Sequence, residues 1–156
     1  MTKWKKPISL LAVFVVAFFA FAATISAHVT VSPEKVEQGA YEIFSVKVPT
    51  EGEQPTTKVM VKAPDGVNIS RVAPMFDWSY EMEKSEDGKV TSITWTANGE
   101  GLLPGEFTQF NMQGKVGEDA TSLEWKAYQT YADGKVVEWV GAEGADKPAS
   151  LSDKSS

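Results

Sequence analysis

The chain has 156 residues, a formal net charge of −6, one histidine and no cysteine. That length carries one domain with its own hydrophobic core and not two. The missing cysteines exclude disulfide staples, thiolate metal sites, a nucleophilic cysteine and a lipoprotein anchor, and the acidic balance argues against nucleic acid and anionic lipid.

The first element is a leader. Lys3, Lys5 and Lys6 form a basic start, Ile8 to Ala23 is almost wholly apolar, and Ile25-Ser26-Ala27 ends in a small residue. Residues 1–27 therefore read as a cleaved signal peptide, and the protein as exported, extracellular or held in the cell envelope. An uncleaved membrane anchor is the alternative, since an apolar run of about 20 residues is long enough to span a bilayer. Cleavage removes three lysines and no acid, so the mature net charge falls to about −9.

The rest alternates with the period of β-strands, broken by turn signals every 8 to 12 residues. Val29 and Val31 alternate with Thr30 and Ser32 up to Pro33, and strands follow over 41–48, 57–63 and 67–72. Residues 78–82 and 90–96 flank an Asp87-Gly88 hairpin turn, and Glu106 to Met112 makes another strand. Leu123 to Tyr131 and Val136 to Val140 flank the turn Asp133-Gly134. About nine short strands and no helical period predict an all-β, two-sheet Greek-key sandwich over 28–141. Residues 142–156 turn polar and read as a flexible tail without a second hydrophobic span, which leaves the mature protein without a membrane anchor.

The chemistry concentrates at His28. Cleavage after Ala27 makes it the first residue, and its free α-amine and ring Nδ1 then close one chelate ring around a metal ion. Nitrogen donors of this kind suit Cu(II). Met60, Met75, Met82 and Met112 are scattered along the mature chain, so a soft Cu(I) site is poorly supplied. A carboxylate can complete the set, and Glu51, Glu34, Glu37 and Glu53 are all feasible. Most such glutamates are simply solvated. Of the four mature tryptophans, Trp95 and Trp125 read as core, whereas Trp139 lies on the final strand and could shield an ion near the first.

Several ordered motifs resemble the YcnI-like copper-binding family: His28-Val-Thr-Val-Ser-Pro33, Val48-Pro-Thr-Glu51 followed by Thr56-Thr-Lys-Val59, and Trp78 after a proline-containing turn. Pro104-Gly-Glu-Phe107 with Phe110, and Tyr128-Gln-Thr-Tyr-Ala-Asp-Gly-Lys-Val-Val-Glu-Trp139, belong to the same pattern. The resemblance implies a cupredoxin-like or immunoglobulin-like β-sandwich holding one Cu(II) ion. Its ligands would be the amine and ring nitrogen of His28 and the carboxylate of Glu51, with Trp139 close to the ion. Thr50 stands where many relatives have asparagine. Many relatives also carry a C-terminal membrane helix that this sequence lacks.

The function expected from these readings is that of an exported copper chaperone or scavenger in copper homeostasis, not an enzyme. It would exchange copper with a membrane copper transporter or a copper acceptor protein. A polysaccharide monooxygenase needs a second histidine for its copper brace, which the sequence does not contain. A non-catalytic adhesion or carbohydrate-binding sandwich, with tryptophans as a sugar platform, is the other reading. Burial of Trp95 and Trp125 with Trp139 beside His28 would count against it.

Overall fold

Period-two alternation of Val, Ile, Phe and Trp with polar residues forces each strand to bury one face. The computed structural model describes residues 27–156 and has eleven strands, most of which bury such a face. The strands are β1 (Thr30–Ser32), β2 (Lys35–Val36), β3 (Tyr41–Pro49), β4 (Thr56–Lys62), β5 (Val67–Val72), β6 (Trp78–Lys84), β7 (Val90–Ala97), β8 (Phe107–Val116), β9 (Ser122–Tyr131), β10 (Val136–Trp139) and β11 (Ser150–Lys154). Among the described residues there is no helix.

One sheet has four strands in the order β1-β3-β8-β5; the other has seven, ordered β2-β11-β9-β4-β7-β6 with β10 also beside β9. Their inner faces supply the core. Phe44, Val46 and Val48 of β3 and Phe110 and Met112 of β8 meet Leu123, Trp125 and Ala127 of β9 and Ile93 and Trp95 of β7. Three aromatic pairs bridge the sheets in the core: Phe44 lies 4.8 Å from Trp125, and Phe110 stacks at 4.9 Å on Trp95 and meets Trp78 edge-on at 5.0 Å. Trp95 and Trp125 are each 1% exposed, as their alternation predicts, so neither is available as a sugar platform. The expected two-sheet sandwich is the fold.

Two strands lie where none was expected. Ser150–Lys154, read from sequence as part of a flexible tail, forms β11, which pairs with β9 antiparallel and with β2 parallel. Its fully buried residue is Ser152, whose hydroxyl donates to Pro33 O at 2.6 Å and accepts from Trp125 Nε1 at 3.2 Å. A strand whose inward side chain is a hydrogen-bonded serine carries no hydrophobic alternation, which is why composition alone suggested a tail. The two-residue β2 follows Pro33, where β1 ends at a cis Ser32–Pro33 bond. The expected signal peptide lies outside the described residues apart from Ala27.

A candidate metal centre at the corner of the sandwich

The site begins with a register. β1 pairs antiparallel with β3, with Thr30 opposite Lys47. Continuing that register puts His28 level with Pro49 and Ala27 level with Thr50, so the residues before β1 run towards the loop that follows β3. The loop's first acidic residue is Glu51, and the Ala27 backbone N–H donates to Glu51 Oε1 at 2.5 Å. One of the four glutamates left open by the sequence is thus in contact with the backbone adjoining His28.

Trp139 reaches the same corner from the other sheet. β10 pairs with β9 with Trp139 opposite Ala127, which turns the indole inward, where it is 5% exposed. Its ring centroid lies 5.4 Å from that of His28, with the rings tilted by 51°. The final and first strands are not neighbours within a sheet. In the structure β10 pairs β9, β1 pairs β3, and the two aromatic side chains meet across the gap between sheets.

Beside Trp139 opens a cleft of about 410 Å³, lined by Glu51, Glu53, Tyr131, Asp133, Trp139 and Asp146, with Lys135 and Lys147 at its wall. Burial pushes the Tyr131 phenol above its ordinary range. The Glu51 charge acts the same way, while hydrogen bonds with the Glu51 backbone and the Thr56 hydroxyl oppose it. Tyr131 therefore stays a neutral phenol near pH 7 and offers no phenolate oxygen.

Among the described residues, no three His, Cys, Asp or Glu side chains converge as a ready-made cage. Against Trp139 and the backbone at Ala27 lie one imidazole, that of His28, and one carboxylate, that of Glu51, and the backbone nitrogen of His28 adjoins both. This donor set fits a copper ion only when His28 carries a free amine, which adds a second nitrogen to the imidazole and carboxylate. No methionine lines the cleft, and Met112 is buried in the core.

Residues 28–153 match the family described as a domain of unknown function, DUF1775. The chain belongs to the DUF1775 family. The resemblance to YcnI-like proteins read from its motifs holds. Among its relatives, the chain is similar to the copper-binding protein CutI of Bacillus subtilis (strain 168), with 41% identity over 131 residues. That alignment covers 84% of this chain and spans 64% of the relative's length. An uncharacterized protein from Nocardia farcinica, described as having an immunoglobulin-like fold, superposes with a TM-score of 0.74 at 32% identity, covering 84% of this chain and all of that one. The sixth cohesin of Acetivibrio cellulolyticus scaffoldin B superposes at 0.54 with 10% identity, covering 82% and 98% of the two chains, a likeness of fold alone.

This DUF1775 chain brings His28, Glu51 and Trp139 to one corner. Glu53 lines the cleft two residues on, and Glu34 adjoins a separate hollow beside β11. Sequence reasoning missed Gln129, Thr50, Thr56 and Ser150. Gln129 was nonetheless legible, as a polar residue in the inward register of Leu123, Trp125 and Ala127. Ser150 Oγ accepts from Val31 N–H at 2.8 Å and lies 3.2 Å from Val31 O, where it covers the open edge of β1. The strand that carries His28 is therefore held on one side by β3 and on the other by β11.

Proposed function

We propose that this DUF1775 protein binds one copper ion, as Cu(II), through the α-amine and ring nitrogen of His28 and the carboxylate of Glu51. In this reading a signal peptide is cut after Ala27, and the exported protein serves copper homeostasis as a chaperone or scavenger. It works as a binding protein and not as an enzyme. The partners it would serve are a membrane copper transporter or a copper acceptor protein, with which it would exchange the ion.

The observation that carries the proposal is a juxtaposition: the Ala27 nitrogen lies 2.5 Å from Glu51 Oε1, and the His28 ring lies 5.4 Å from Trp139. A carboxylate and an imidazole thus flank the bond whose cleavage would create the amine. Two nitrogens and one oxygen, with no sulfur, favour Cu(II) over Cu(I), so reduction would loosen the ion and offer a release route. The relative named a copper-binding protein supports the choice of metal. Trp139, nearly buried against the imidazole, would close one side of the site to water and present an aromatic face to the cation.

Titration with Cu(II), followed by electron paramagnetic resonance, tests the chelate on protein that begins at His28 and on the same protein with one alanine added in front. The expected outcome is a single tight, nitrogen-rich site that is lost in the extended form. Equal and weak binding by both would make His28 incidental.

A further inference from the structure

We infer that Gln129 is a positioning residue of the candidate copper centre, holding Trp139 and the Glu51 loop in one rigid frame; the inference rests on the copper reading above. Gln129 sits on β9 and has no exposed surface. Its Nε2 donates to Pro49 O at 2.8 Å and to Thr56 Oγ1 at 2.8 Å. Its Oε1 accepts from Trp139 Nε1 at 3.1 Å. Thr56 Oγ1 lies in turn 2.7 Å from Thr50 Oγ1, and both hydroxyls are buried. Pro49, Thr50 and Thr56 bracket the loop that carries Glu51. A single side chain therefore connects the indole beside His28 to both ends of that loop.

Hydrogen-bond chemistry allows the amide one orientation. The Trp139 indole can only donate, and the Pro49 carbonyl can only accept, so the oxygen must face Trp139 and the nitrogen must face Pro49. Glutamate would lack the two donors that the loop requires, and leucine would supply neither. A buried polar side chain is retained in a core when its partners would otherwise lie unpaired, and here those partners come from the two elements that frame the site. Nothing in the hydrophobic packing of β9 calls for glutamine, since Leu123, Trp125 and Ala127 fill the preceding inward positions.

The experiment compares the protein beginning at His28 with its Gln129→Leu and Thr56→Val variants, plus Leu123→Ala as a control for lost packing remote from the corner. Each is measured for Cu(II) affinity by competition with a chromophoric chelator, for the copper resonance spectrum and for Tm. The expected result is that Gln129→Leu weakens copper binding about tenfold or more and alters the copper hyperfine coupling, as loss of outer-sphere support does at metal sites. Thr56→Val, which keeps the side-chain volume, should act in the same direction and less strongly. Leu123→Ala should lower Tm without touching affinity or spectrum. If Gln129→Leu does not fold, Thr56→Val decides. Variants with native affinity and spectrum would overturn the positioning role and leave the copper reading standing. Absence of an amine-dependent copper site in the unaltered protein would overturn both.

Discussion

Glu51 and Glu53 line the same cleft two residues apart, but it is Glu51 whose carboxylate accepts from the backbone next to His28. Glu51→Gln is therefore expected to weaken copper binding about tenfold or more, by replacing a charged oxygen donor with a neutral one. Glu53→Gln should change it by less than about threefold on the same scale; competition titrations of the two variants check this. Gly101 supports the same loop from outside. It has φ +87°, and a Cβ there would lie 2.2 Å from the Thr56 carbonyl oxygen, beside the Thr56–Leu102 bridge. Both the dihedral and the contact require glycine, so Gly101→Ala should cost at least about 1–3 kcal/mol in denaturant unfolding. Of these residues, His28 stood out from its place behind a cleavage motif. Gly101 could not, because what it touches is 45 residues earlier in the chain.

At the scale of elements, β11 separates what alternation reveals from what it hides. Apart from the two-residue β2, whose Val36 joins the core, the strands that line the core with Val, Phe, Ile and Trp were legible, within a few residues at their ends. β11 holds its place by backbone pairing with β9 and β2 and by two serine hydroxyls. Neither kind of contact leaves an apolar signature in sequence. The strand matters to the site because Ser150 covers the free edge of β1. Ser150→Ala leaves the N–H of Val31, a residue 2% exposed, without that partner. The expected cost is about 1–3 kcal/mol of stability, with some loss of copper affinity as the His28 strand loosens. Ser155→Ala, which removes no side-chain bond, serves as the comparison; thermal unfolding and copper titration read both effects. Glu51's contact with the chain at Ala27 also has an elemental cause. The antiparallel register of β1 on β3 brings the residues before β1 level with the loop that leaves β3, and pairing partners cannot be read from one strand's composition.

For the whole molecule, the sandwich followed from strand number, turn spacing and the absence of helical periodicity. The site did not follow from these, because it is assembled from the start of one sheet, a loop between sheets and a strand beside β9 in the other. That arrangement has a consequence for pH. An amine and an imidazole both bind copper only after losing their protons. Protons and copper therefore compete, and affinity falls as pH falls. Where both nitrogens hold protons, two leave for each ion bound, so affinity should then drop by about one hundredfold per pH unit. A titration series that holds constant affinity down to pH 5 would contradict the amine–imidazole chelate. Among the described residues the ion pairs Lys115–Glu118 and Lys126–Glu124 are both solvent-exposed, so they should contribute little to folding.

The most direct measurement is a crystal structure of the protein beginning at His28, loaded with one equivalent of Cu(II). The ion is expected at the corner of the sandwich, bound by the amine and ring nitrogen of His28 and by Glu51, with the Trp139 indole against it and Gln129 still joining Trp139 to Pro49. Copper held elsewhere, among Glu53, Asp133 and Asp146 of the cleft, or a His28 amine that does not touch the ion, would contradict it.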